Sequence, residues 1–173
     1  RASGRMICMT GGHGNKYGRV ADGIDEVIKA VREQVHAGSD LVKIMATGGV
    51  MPPGVNPEDA HYSAEEMAAG IHEASRFHKR KASHAQGTEG ILTAERGEIT
   101  SIEQGICMTK KTVQEMMEHG TWLMPTLAAL HNIVSMKDSG IPAYVMEKAE
   151  RIAEFHVRSI KMFYDAVGKI AMG

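Results

Sequence analysis

The stretch Asp40-Leu-Val-Lys-Ile-Met-Ala-Thr-Gly-Gly-Val50 sets a lysine inside what reads as a buried parallel strand. Leu41, Val42, Ile44 and Met45 form a short apolar run bounded by Asp40 and by Gly48-Gly49, so the strand should end in a tight turn. A bare ammonium in such a strand is costly to desolvate. Lys43 must therefore be paired, deprotonated or chemically modified, unless its head reaches water at the strand end.

Outward from this strand, elements alternate. Residues 23–37 place Ile24, Val27, Ile28, Val31 and Val35 at helical spacing, with Asp22 as the expected N-cap and Gly38 as the stop. The proline-rich segment 51–57 reads as a loop. Ser63-Ala-Glu-Glu66 is a capping box opening a helix to about His78. Strands are expected near 81–85, 99–103 and 121–124, and helices near 88–96, 109–119 and 141–166. Gly168 leads into a terminal strand at Lys169-Ile-Ala-Met-Gly173.

This is the pattern of a parallel sheet covered by helices, either doubly wound or closed as a barrel. The polar residues favour the barrel. Lys43, His84 and Glu103-Gln104 fall at or near the C-terminal ends of successive strands, where barrel enzymes gather their chemistry.

Composition narrows the function classes. The 173 residues suffice for one domain, and the formal charge of −1 without a basic stripe disfavours nucleic acid and anionic membrane as partners. No apolar run approaches the roughly 18 residues of a membrane span, and no signal peptide follows the basic start. Cys8 and Cys107 have no metal-motif spacing and read as free thiols of a reducing, cytoplasmic compartment. The 13 methionines read as plastic core filler. The chain begins at Arg1 and stops as a strand finishes, so it is expected to be a piece of a longer protein.

A histidine on a strand and a lysine on an earlier strand suggest a metal site. A lysine capped by carbon dioxide becomes a carbamate, an anionic oxygen donor able to bridge two divalent ions, and imidazole suits zinc at the same site. Asp40–Val50, His84-Ala-Gln-Gly-Thr-Glu-Gly-Ile91, Ser101-Ile-Glu-Gln-Gly105 and Gly120-Thr-Trp-Leu-Met-Pro-Thr-Leu127 resemble the amidohydrolase superfamily. The imidazolonepropionase-related branch, which includes Xaa-Pro dipeptidase-like enzymes, is the nearest, and Thr10-Gly-Gly-His-Gly14 matches one of its loops.

The resemblance implies an α/β fold, a partial (β/α)8 TIM-type barrel, with residues 1–173 as its central-to-C-terminal part, truncated at both ends. It implies hydrolysis of C–N bonds in dipeptides or N-acyl amino acids by metal-activated hydroxide, with one or two divalent ions, zinc foremost. Lys43 matches the carboxylated bridging lysine and His84 a histidine ligand. Position 104, where the family offers a second histidine, carries Gln104, a weaker donor. The His-x-His pair of the first strand would lie before Arg1. The proton-shuttling aspartate would follow Gly173, so no catalytic residue is expected within this chain and the chain alone is expected to be inactive.

His13 and Gln86 are the expected substrate-binding residues, and Glu103 either orients a ligand or pairs with a barrel neighbour. His36, His72, His78, His119 and His156 fall on helices, where a solvated face is the expectation, while His131 is placed to approach the site from a loop. A small-molecule substrate is the expected partner, and the family often self-associates. Two competing readings remain: a non-catalytic barrel in which Gln104 marks lost metal binding, and an unrelated barrel enzyme using its glycine turns as phosphate cradles.

Overall fold

The computed structural model describes residues 2–136 and 140–172. Seven strands form one parallel sheet in the order β2-β1-β3-β4-β5-β6-β7. They are β1 (Ile7–Cys8), β2 (Arg19–Val20), β3 (Leu41–Met45), β4 (Arg80–Ala85), β5 (Ser101–Gln104), β6 (Trp122–Met124) and β7 (Lys169–Ile170). From β3 onward the strands follow one another in space as in sequence, with helices α1 (Ile24–His36), α2 (Ala64–Arg76), α3 (Thr88–Arg96), α4 (Lys110–His119), α5 (Leu127–Ser135) and α6 (Ala143–Asp165) between the strands. This is a partial TIM-type barrel wall.

The two faces of the sheet differ. Ile7, Val42, Ile44, Ile102 and Leu123 point outward into a fully buried core shared with Val27 and Val31 of α1, Met67 and Ile71 of α2, and Met116 of α4. The inner face carries Lys43, Ala82, Ser101 and Trp122 in one register row, with Met45, His84, Glu103 and Met124 in the next. Lys43 is thus not enclosed on both sides as the apolar run suggested: burial alternates along β3, and the lysine side chain keeps 24% of its exposure on the inner face.

Most expected elements form near their expected bounds, and the Ser63–Glu66 capping box is present at α2. Asp22, however, does not cap α1. Gly23 holds that position at φ +79°, and Asp22 instead accepts hydrogen bonds from the Thr10 backbone and hydroxyl. The Glu66 carboxylate accepts from the Ser63 and Gly23 amides and so ties the starts of α1 and α2 together. At Gly70 of α2 a Cβ would stand 2.8 Å from Val27 and 2.9 Å from Ile44, so the glycine lets α2 approach both α1 and the sheet.

Two expectations fail beyond 124. The Pro125–Leu130 segment is not a loop, because α5 begins at Leu127, and His131 on that helix is exposed and faces Ser135 rather than the site. The terminal strand is Lys169–Ile170, and Gly173 lies outside the described residues.

At the end of the sheet opposite the strand C-termini, Glu95 is fully buried. One of its oxygens accepts from Thr121 Oγ1 at 2.8 Å and lies 3.2 Å from His119 Nδ1, while the other has no partner. His119 is exposed, as expected, and its ring also reaches this buried carboxyl. Burial raises the Glu95 pKa above its ordinary 4.5, so the folded chain holds this proton more tightly than the unfolded chain. The stability it contributes is full below pH 4.5 and is lost as pH rises through the raised folded value. Glu95→Gln should flatten that fall, and urea unfolding of both proteins between pH 4 and 8 measures it. Parallel pH profiles would show that another group controls the loss.

Candidate functional site

The C-terminal ends of β3, β4 and β5 collect the residues of interest at one mouth of the sheet. Lys43 and Glu103 lie on the strands either side of β4, in successive register rows: Lys43 stands opposite Ala82 and Glu103 opposite His84. Their side chains pair at 3.5 Å between Nζ and Oε2. This answers the question posed by β3: Lys43 is paired, and Glu103 is the partner. Both are part-exposed at an open cavity of about 640 Å³ on the inner face, which Trp122 and Met124 also line. The pair is therefore worth about 1 kcal/mol or less.

His84 ends β4 with 4% exposure. Its Nε2 lies 2.9 Å from the Gly48 carbonyl, and Nε2–H as the donor leaves the Nδ1 lone pair free to act as a ligand. Burial, reinforced by His13 and Lys43 nearby, pushes its pKa down to about 3, so it is neutral at ordinary pH. His13 packs on it with ring centroids 4.4 Å apart and is itself pushed down to about 4, first by burial and then by His61 and Lys43. Acid should weaken this mouth: both rings favour the fold above pH 6.5, and that contribution is lost as pH falls toward their folded values.

The glycine pair after β3 serves close approach. A Cβ on Gly48 would stand 1.9 Å from the Asn56 carbonyl oxygen, and one on Gly49 would stand 2.6 Å from His13 Nδ1. Neither glycine has positive φ. The loop is folded back by its own backbone, with His61 N donating to Ala46 O and Gly48 N to Asp59 O.

That loop delivers His61, which sequence reasoning missed. It is 7% exposed, and both ring nitrogens are buried without a hydrogen-bond partner. It has no motif spacing and lies beyond a proline-rich loop, so only the fold brings it beside Gly12 and Gly48. The same orphaned state holds for His13 Nδ1, Gln86 Oε1 and Gln104 Oε1. An unpaired buried polar atom costs roughly 1–3 kcal/mol. Five such atoms gathered at one mouth mark a place built to meet a ligand.

Gln104 closes β5 at φ +76°, a left-handed conformation rare for a non-glycine residue and worth about 1–3 kcal/mol of strain. Its side chain lies near enough to His84 to oppose the lowering of that pKa. His156, expected on a solvated face, is instead 1% exposed, with Nε2 at 3.1 Å from Gln104 O and 2.8 Å from Pro125 O. His36, His72 and His78 are exposed as expected.

The residues present fit a divalent ion in part. His84 offers a neutral nitrogen and Gln104 an orphaned oxygen, while Lys43 as found is an ammonium paired with Glu103. Among the described residues no group of three or more His, Cys, Asp or Glu side chains forms a complete metal site. Cys8 and Cys107 are free thiols. No helix among the described residues is long and apolar enough to cross a membrane.

A parallel α/β barrel wall with polar residues converging at its strand C-termini defines a TIM-type enzyme scaffold. The chain belongs to the amidohydrolase family, whose profile matches residues 2–173. It is 29% identical over 154 residues to an ochratoxinase of Aspergillus niger, an alignment covering 89% of this chain and 32% of that protein. The fold matches a Xaa-Pro dipeptidase solved with methionine in its active site, at TM-score 0.89 and 30% identity over 97% of this chain and 45% of the other. It also matches a prolidase complexed with N-methylphosphonate-L-proline, at TM-score 0.92 and 27% identity over 99% and 47%. The chain thus spans about a third of the ochratoxinase and under half of these solved relatives.

Proposed function

We propose that the complete protein is a metal-dependent amidohydrolase that cleaves C–N bonds in dipeptides or N-acyl amino acids, with residues 1–173 as the central-to-C-terminal part of its barrel. The observation that carries this reading is the set of orphaned polar atoms on His13, His61, Gln86 and Gln104 around neutral His84 at the strand C-termini. Family membership and the Xaa-Pro dipeptidase and prolidase relatives support the reaction class.

One or two divalent ions, zinc first, would supply Lewis-acid activation of water and of the scissile carbonyl. His84 would hold an ion through Nδ1, oriented by its bond to Gly48 O, with Gln104 Oε1 as a weak neutral ligand. Lys43 would serve as a carbamate. In that form it is anionic beside the Glu103 carboxylate, so the ion pair and the carbamate are alternative states of one side chain. His13 would donate to the substrate carbonyl, and Gln86 would line the pocket. Gln104 also favours a second reading, an amidohydrolase-fold binding module with impaired metal binding and no turnover.

Metal removal separates the two. The complete protein is assayed on Xaa-Pro dipeptides and N-acyl amino acids before and after dialysis against a chelator, with metal content measured in parallel. The enzyme reading expects loss of at least roughly a hundredfold in rate, restored by zinc or manganese. A folded barrel with near-zero metal and no turnover establishes the binding module instead.

A further inference from the structure

We infer that His156 of α6 is a positioning residue that sets the metal-facing pose of Gln104, an inference that rests on the metal reading above. The paired part of β5 and β6 ends at Glu103 opposite Met124, so Gln104 and Pro125 are the first residues beyond the register. There the strands lose their mutual hydrogen bonds, and the carbonyls of both residues turn to the same imidazole nitrogen, at 3.1 and 2.8 Å. Two backbone carbonyls can only accept, so Nε2 carries the proton and donates to both.

This clasp sits where the backbone is strained. Gln104 at φ +76° is followed by Gly105 at +57°, so β5 leaves the sheet through two successive left-handed residues. A glutamine has no intrinsic preference for that conformation, and an outside constraint has to hold it there. His156 grips the carbonyl of the strained residue itself. One turn further along the same face of α6, Ser159 Oγ donates to Ile106 O at 2.5 Å and accepts from Met108 N at 3.0 Å. The helix therefore fixes both the start and the course of the loop after β5. With the backbone held, the Gln104 side chain is left with its Oε1 buried and unpartnered near His84.

A helix that merely packed here would need only apolar side chains at this position. A buried imidazole with a bifurcated bond instead specifies one placement of residue 104 relative to β6. Loss of such a support behind a ligand typically weakens metal binding by about ten- to a hundredfold.

The test uses the complete protein with His156→Leu, which fills the space without a donor, and His156→Gln, which returns an N–H near the Nε2 position. Ser159→Ala, which loosens the same loop without touching Gln104, is the control. Co2+ affinity is read by absorption titration and folding by thermal midpoint. The Gln104 side-chain amide signal is followed in 15N-glutamine-labelled, metal-free protein. Positioning predicts roughly tenfold weaker Co2+ binding and a displaced amide signal in His156→Leu, both recovering in His156→Gln, with Ser159→Ala near wild type. A lower midpoint in His156→Leu with unchanged Co2+ affinity and an unmoved amide signal overturns the inference. If wild type binds no Co2+, the metal reading fails by itself, and the amide signal still decides whether His156 sets Gln104.

Discussion

Lys43→Ala in the complete protein is expected to lower kcat/KM for amide hydrolysis by roughly a thousandfold or more, because about 4 kcal/mol of metal-derived transition-state stabilisation would go with it. Lys43→Arg is the sharper variant. The ion pair with Glu103 at 3.5 Å asks only for a cation, and arginine supplies one. A carbamate asks for an amine that can lose its proton and react with carbon dioxide, which arginine cannot do at any ordinary pH. If Lys43 acts as a carbamate, Lys43→Arg is as inactive as Lys43→Ala while its thermal midpoint stays near wild type. Short carboxylates such as acetate should then partly restore Lys43→Ala, since they return anionic oxygens to the space the lysine leaves. Substantial activity in Lys43→Arg would show that the lysine serves only to balance Glu103.

Why Lys43 could be singled out from sequence, while its partner stayed open, follows from the geometry of strands. The short apolar run bounded by Asp40 and Gly48-Gly49 made β3 legible, and a lysine in that run has few physical solutions. Which solution applies depends on what stands two strands away, one register row further on, and sequence spacing says little about that. The helices α1 to α4 were legible from apolar spacing and caps, because those signals are local. The two-residue strands Ile7–Cys8 and Arg19–Val20 were not, since so short a run has no periodicity to read. The N-cap of α1 went to Gly23 because Asp22 found Thr10, a partner twelve residues away. His61 and His156 were illegible for the same reason as Glu103. Their roles come from the β3 loop folding back and from α6 lying across the strand ends. A histidine on an amphipathic helix looks solvated until the helix has been docked.

Gln104→His is expected to tighten zinc binding by the complete protein by about ten- to a hundredfold, that is, about 1.4–2.8 kcal/mol. Imidazole is a better donor for zinc than an amide oxygen, and the fold is prepared to receive it. Residue 104 stands at φ +76°, a conformation in which histidine is better tolerated than most residues. Its carbonyl is already held by His156, so the backbone need not move to admit a ring. The atom being replaced, Gln104 Oε1, is buried and has no hydrogen bond to lose. The new ring would lie beside neutral His84, and two neutral imidazoles do not repel as two imidazolium ions would. Competition against a chromogenic chelator measures the affinity, and turnover on a dipeptide shows whether the extra affinity assists the reaction. Tighter zinc with faster hydrolysis means that glutamine limits metal loading in the natural protein. Tighter zinc with slower hydrolysis means that a weak ligand at 104 is part of the working site. Unchanged affinity would remove position 104 from the ligand set, and with it the reason for the strained end of β5.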